Sequence, residues 1–238
     1  MKIAYLSIHD STNIRSYSGT GYFIPKSLMF NGADVHYIGN LKTKPYLPEK
    51  FNELFYRHIH KKIYWMNRQP RVIKNYARQI KSKIKEINPD VILSFSGLTI
   101  ALLETDKPIV LWPDAVFGDI IDFYPEFTNM ARKTIRNGNK MEQYALDRCS
   151  HIIYSSDWAA EGAMRHYNIS REKISVIPYG ANIETTWDEE TVEQKIQSKN
   201  SDHCNLLFVG VDWYRKGGNL ALQVAKDLNQ KGLKTELN

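Results

Sequence analysis

Cysteine is nearly absent: the 238 residues hold two, Cys149 and Cys204, far apart in the chain. That excludes a disulfide framework and cysteine-based metal spacing, and it makes a reducing cytoplasm the default compartment. Long apolar runs are missing too. No stretch approaches the roughly 18 apolar residues of a membrane-spanning helix. The apolar part of the N-terminal MKIAYLSIHD is too short for a signal-peptide core, and it reads as a buried first strand. The seven histidines form no cluster. No Ser–His–Asp or Cys–His arrangement, no repeat and no low-complexity segment stands out. Acid is absent between Phe55 and Lys85, where ten cations follow one another: Arg57, Lys61, Lys62, Arg68, Arg71, Lys74, Arg78, Lys81, Lys83 and Lys85. With a net charge of +6, such a block suits an anionic partner.

What is present alternates between strand and helix signals. Apolar strands are expected at Lys2–Ile8, Ala33–Gly39, Asp90–Gly97, Pro108–Trp112, His151–Ser156 and Lys173–Pro178, and again from Leu206. Helices are expected at Thr20–Asn31, near Thr128–Arg148 with a break at Asn137-Gly138, from Asp157 under a Ser155 or Ser156 cap, and at Gly218–Gln230. Two helical stripes fill the basic block. One is Phe51, Leu54, Phe55, Ile59, Ile63 and Met66; the other is Val72, Ile73, Tyr76, Ala77, Ile80, Ile84 and Ile87. The simple reading packs both stripes on a sheet with the cations outward. The sharper reading is a membrane-surface face, since the cations interleave with Phe55, Tyr64 and Trp65. Nothing in the aromatic spacing suggests a nucleic-acid stacking platform. The alternation implies an α/β protein with a doubly wound, Rossmann-like parallel sheet and ligands at the carboxyl ends of its strands.

Three stretches are placed to carry chemistry. SGTGYF, Ser18 to Phe23, puts Gly19 and Gly21 at the opening of the first helix, where backbone N–H groups attract phosphate or carboxylate. A flexible turn is the plainer alternative. WPDAVFGD puts Asp114 just past the fourth strand, where it would orient a sugar hydroxyl, accept a proton or simply cap a helix. LLFVGVDWYRKGG brings Arg215 and Lys216 and two glycines after an expected buried strand. Arginine as a fork and lysine as a point charge suit a diphosphate, although loop cations facing solvent would look the same.

Together these stretches resemble the retaining GT-B glycosyltransferases of family 4. HIIYSSDWAAEGAMRHYNISREKISVIPYGANI, His151 to Ile183, resembles their inter-domain segment, and LLFVGVDWYRKGGNLAL resembles the first strand, cation loop and helix of their C-terminal domain. SGTGYF fits their glycine loop, and Glu142 also suits the pattern. The resemblance implies an N-terminal Rossmann-like acceptor-side domain over residues 1–200, and over 201–238 the start of a second, donor-binding domain. It implies a nucleoside-diphosphate-sugar donor and a saccharide or lipid-linked acceptor. No metal site is visible in the sequence, so no metal or other cofactor is expected, the cation loop standing in for a metal at the diphosphate. Arg215 and Lys216 would bind the donor diphosphate. Asp114 would lie by the reacting sugar, Gly19 and Gly21 would line the cleft, and Gly180 and Asn182 would flank the hinge. The chain would be cytoplasmic, peripheral at the inner face of the membrane. Pro113-Asp114 stands where the family has His-Asp, so any histidine role passes elsewhere, for example to His9. Tyr179 and Asn182 replace the usual Asn and Asp. The family's Glu-x7-Glu motif does not occur in the C-terminal stretch, so the expectation is the front part of a longer enzyme, with weak transfer on its own.

Two rivals stay open. A nucleotide-sugar dehydrogenase or epimerase should carry a tight Gly-x-Gly-x-x-Gly turn and an acid after the second strand, where this chain has Gly39-Asn40. A non-catalytic module would bind anionic surfaces through Phe55–Lys85.

Overall fold

The computed structural model describes residues 1–44, 46–185, 187–199 and 203–238. They divide into two compact units, Met1–Asn182 and Ile183–Asn238. The domain boundary expected at residue 200 lies outside the described residues.

The first unit is built on a six-stranded, wholly parallel sheet in the order β2-β1-β3-β4-β5-β6. Its strands are β1 (Lys2–Leu6), β2 (Asp34–Ile38), β3 (Val91–Ser94), β4 (Ile109–Leu111), β5 (His151–Tyr154) and β6 (Ile174–Val176). Each lies inside an expected strand. Between them run α1 (Thr20–Phe30), α2 (Leu47–His58), α3 (Pro70–Ile87), the single turns α4 (Gly97–Ile100) and α5 (Phe117–Ile120), then α6 (Arg132–Arg148) and α7 (Asp157–His166). Alternation along β1 divides the core. Ala4 and Leu6 face a cluster with α3, α4, α6 and α7, while Ile3 and Tyr5 face a smaller one with Ile24, Leu93 and Phe95. The chain order reverses after β2: it returns to add β3 on the other side of β1. That reversal leaves a crevice at the carboxyl ends of the strands.

Two expectations about helices need correction. The stripe of α3 packs as expected: Val72, Ile73, Tyr76, Ala77, Ile80 and Ile84 are buried, each large aliphatic contributing about 1.5–3 kcal/mol. The stripe through Phe51 to Met66 does not pack on the sheet. Its helix, α2, ends at His58, and Phe51 and Ile59 are 69% and 67% exposed. The chain then turns through Lys61 (φ 53°) and pairs Ile63 with Met130 in a lone bridge. The helical period in this stretch is genuine only as far as His58, and no sheet face lies against it. Conversely, α6 runs unbroken through Asn137-Gly138. Gly138 serves as a notch there, since a Cβ at this position would lie 2.0 Å from Cε1 of Phe117. At α7, Ser156 is the cap, its Oγ accepting from Ala159 N at 3.3 Å.

The second unit holds α8 (Glu189–Gln197) and a strand–helix–strand made of β7 (Cys204–Leu206), α9 (Gly218–Gln230) and β8 (Thr235–Leu237). The strand expected from Leu206 onward is displaced. β7 covers Cys204–Leu206, with Leu206 opposite Leu237. Leu207, Val209 and Val211 are exposed, and Arg215 and Lys216 do not directly follow a buried strand.

Filling the Gly138 notch should destabilise the first unit. Gly138→Ala is expected to cost about 1–3 kcal/mol through overpacking, or about 2–4 °C in Tm per kcal/mol for a chain of this size. An unchanged thermal midpoint would mean that Phe117 moves aside freely.

Candidate functional site

A cavity of about 570 Å³ opens over the carboxyl ends of the sheet. Five loops build it, each from a different strand. Tyr17, Ser18 and Thr20 follow β1, Phe95 to Leu98 follow β3, and Pro113 to Ala115 follow β4. Trp158 follows β5 and Tyr179 follows β6. Phe117, Ile120, Tyr124 and Phe127 supply an aromatic and apolar wall, and Arg68 and Glu142 supply charge. The volume and lining, mostly apolar with a few polar groups, suit a small ligand.

Asp114 lies in this cavity as its strand position implied. It is not a helix cap: α5 starts at Phe117 behind Val116 and has no side-chain cap. Its surface is open to the cavity, while the surrounding protein withdraws water from the carboxylate. That desolvation raises its pKa above the ordinary aspartate value, opposed by hydrogen bonds from its own N–H and that of Ala115.

Arg68 and Glu142 form a buried pair beside it. The guanidinium and carboxylate stand 3.8 Å apart, with side chains 12% and 8% exposed. Burial raises the Glu142 pKa. The Arg68 charge and a hydrogen bond from Phe117 N–H pull it down, and Asp114 pushes it further up. Burial also lowers the pKa of Arg68, which nevertheless stays charged. Arg68 sits 3.9 Å from the centre of the Phe117 ring, a cation–π contact. Of the ten cations in the basic block, this one is turned into the cavity. Nothing in the sequence separates it from its neighbours, because it falls between two helices and has no periodic position.

The wall behind Phe117 is tied down by polar contacts. The largely buried Asp119 accepts from Arg165 at 2.9 Å and lies 3.0 Å from His166 Nε2. Tyr167 Oη accepts from Gly118 N at 3.0 Å and donates to Asn139 at 2.7 Å. The aromatic lining at Phe117, Tyr124 and Phe127 carries no sequence signal of its own, since these residues lie well past the end of β4.

The glycine loop is strained. Tyr17 and Ser18 hold φ of 49° and 57°, and Gly19 holds 95°. Left-handed conformations at non-glycine residues cost about 1–3 kcal/mol each and cluster at functional sites. The Tyr17 ring lies against that of Phe95, centroids 4.5 Å apart and tilted by 48°. Asn182 donates to Ser18 O at 3.0 Å and to Thr20 Oγ1 at 3.1 Å, and its side chain packs on Gly19. Gly19 and Asn182, distant in sequence, are thus in contact. Gly21 is crowded by Ser16 and Tyr17. Gly180 is exposed, with nothing within 4 Å of its Cβ position, and is not among the lining residues. His9 is exposed and borders a smaller hollow beside Tyr17 instead of the main cavity.

Arg215 and Lys216 belong to the second unit, in the loop before α9. Asp212 shapes that loop, its Oδ1 accepting from Arg215 N at 3.0 Å and its carbonyl from Lys216 N at 3.0 Å. The paired glycines serve the loop itself. Gly217 adopts φ 80°, and Gly218 lies under the Trp213 ring. Both cations are exposed. Among the described residues, no three His, Cys, Asp or Glu side chains are grouped to hold a metal ion, and no helix is long and apolar enough to cross a membrane.

A family model described as Glycosyltransferase Family 4 matches residues 26–185. No curated protein matches the chain. Among solved structures, a sucrose-phosphate synthase from Thermosynechococcus elongatus aligns with a TM-score of 0.59 at 13% identity, over 100% of this chain and 61% of that one. At that identity the likeness is one of fold, and the chain spans under two thirds of that protein's length. A glycosyltransferase from Rickettsia africae ESF-5 aligns at 15% identity and a TM-score of 0.48, over 100% of this chain and 67% of that one. Anabaena HepE, solved in complex with UDP and glucose, aligns at 14% identity and 0.46, over 100% of this chain and 60% of that one.

The raised pKa of Asp114 has a sign consequence. A carboxyl whose folded pKa exceeds its unfolded value, about 3.9, contributes stability below that value and loses it as pH rises through the folded pKa. Asp114→Asn should therefore leave Tm unchanged or higher at pH 7, and its gain over wild type should shrink at pH 4. A lower Tm at pH 7 for the variant would mean that the charged carboxylate is a net stabiliser.

Proposed function

The chain belongs to glycosyltransferase family 4, and from that premise we propose that it carries the acceptor side of a retaining glycosyltransferase. The enzyme moves a sugar from a nucleoside-diphosphate-sugar to a saccharide or lipid-linked acceptor. The observation that carries the reading is the placement of Asp114, a carboxylate in the loop after β4, in a cavity walled by Phe95, Tyr124, Trp158 and Tyr179. Aromatic faces suit the apolar faces of pyranose rings, and the carboxylate suits their hydroxyls.

In the reaction, the bond from the anomeric carbon to the diphosphate oxygen breaks, a bond to the acceptor hydroxyl oxygen forms on the same face so that the anomeric configuration is kept, and the hydroxyl proton passes to Asp114. Asp114 orients that hydroxyl, and its raised pKa makes it a better proton acceptor than an ordinary aspartate. The nucleoside diphosphate leaves with the electron pair. Arg215 and Lys216 are assigned to the growing charge on that leaving group, which in this reading needs no metal. Gly19 and Gly21 keep the loop after β1 close to the cavity, and Asn182 holds that loop from the chain leading out of the unit.

The partner assigned to the basic block is an anionic membrane surface, with the protein peripheral at the cytoplasmic face. The exposed Phe51, Leu54, Phe55 and Ile59 adjoin the exposed Arg57 and Lys61 on α2 and just beyond it, a pairing suited to the lipid interface. The protein should sediment with anionic vesicles at low salt and be released at about 1 M, where the Debye length is about 3 Å. No sedimentation at low salt would remove this assignment.

For catalysis, Asp114→Asn should lower kcat/KM by about 10²–10⁴-fold. Lys216→Ala should lower kcat by about 10²–10³-fold, as expected for lost stabilisation of leaving-group charge. Full activity in a correctly folded Asp114→Asn enzyme would sink the assignment of the cavity to transfer.

A further inference from the structure

Arg68 is held in the cavity without being satisfied there. Its guanidinium presents five N–H donors in a planar fork, and buried donors are normally paired. Among the described residues, Glu142 is its only carboxylate partner, at 3.8 Å, beyond hydrogen-bond reach. Its Nε is sealed from solvent with no partner. Its terminal nitrogens are neither hydrogen-bonded nor sealed, so the surface they keep opens on the cavity that Arg68 lines. The Phe117 ring fixes the guanidinium by a cation–π contact, which leaves the edge of the fork available. Glu142 packs against Gly97, its Oε2 3.4 Å from where a Cβ would stand there.

A charge that served only to neutralise Glu142 would be expected to sit in hydrogen-bonded contact with it. A rigid, pre-desolvated fork with open donors matches a planar or tetrahedral oxyanion instead. Asp114 and Glu142 both repel an anion in the cavity, so among the lining side chains it is the Arg68 guanidinium that attracts an oxyanion, while a hydroxyl suits Asp114.

We propose that the acceptor is an anionic sugar whose oxyanion, a carboxylate or a phosphate, is bound by Arg68. The proposal rests on reading the cavity as the acceptor site. A carboxylate would come from an acidic sugar, and a phosphate from a sugar-phosphate link to a lipid.

The test is calorimetric binding of glucose, glucuronate, glucose 1-phosphate and UDP to the wild-type protein and to Arg68→Lys. The lysine keeps the charge opposite Glu142 but loses the fork. In the wild type, glucuronate or glucose 1-phosphate should bind at least about tenfold more tightly than glucose, and whichever does so identifies the source of the oxyanion. In Arg68→Lys that advantage should fall about tenfold, with UDP affinity unchanged. Should Arg68→Lys misfold, the double variant Arg68→Gln, Glu142→Gln removes both buried charges and should likewise lose the preference. Equal binding of the three sugars, or a preference that survives both variants, overturns the proposal. So does a parallel loss of UDP affinity, which would make Arg68 a donor-phosphate group. Absence of transfer with Arg68-dependent sugar binding intact would count against the transferase reading and leave this proposal standing.

Discussion

The Phe117 ring is the contact on which the shape of the cavity depends. It occupies the notch at Gly138 in α6, lies under the Arg68 guanidinium and packs edge-on to Phe127, with centroids 6.4 Å apart. One residue at the start of a single helical turn thus joins α6, the segment before α3 and the loop after β4. Its turn cannot drift, because Asp119 and Tyr167 hold α5 against α7 and α6. A larger residue at 138 or a smaller one at 117 would change the position of Arg68 and Glu142 together.

Around that ring the electrostatics are uncompensated in a directed way. Two carboxylates, Asp114 and Glu142, and one guanidinium share the cavity; Arg68 and Glu142 are largely buried while Asp114 keeps an open surface, and desolvation is the leading cause of all three pKa shifts. In such surroundings each charge acts more strongly than it would in solvent. The strained Tyr17-Ser18-Gly19 turn closes another side of the site and is held by Asn182. Backbone strain of this kind clusters at functional sites, and here it lies over the carboxyl ends of a parallel sheet, where such folds bind ligands.

The sheet was legible because its strands are short, apolar and bounded by turn residues, as in KIAYL and VILS. The location of Asp114 was legible because the position after a strand in such a sheet faces the crevice whatever the loop does. Arg68 was not legible. Its environment is made by residues far away in sequence, Phe117 and Glu142, and its neighbours in the chain are equally cationic. The stripe of α2 misled for the opposite reason: its period is genuine, but period reports an amphipathic helix and not what its apolar face meets. A glycine misled similarly. Gly138 looks like a helix breaker and is a packing notch. Space around a glycine is a tertiary property.

The central claim is that sugar binds in the cavity over β1, β3, β4, β5 and β6. Backbone amide shifts of the isotopically labelled protein, followed while a mono- or disaccharide is titrated in, test it most directly. The account predicts that the largest changes fall on Ser96 to Leu98, Ala115 and Trp158, and that they disappear in Asp114→Asn at the same sugar concentration. Changes confined to surfaces away from these loops, or changes at the loops that Asp114→Asn leaves untouched, would contradict it.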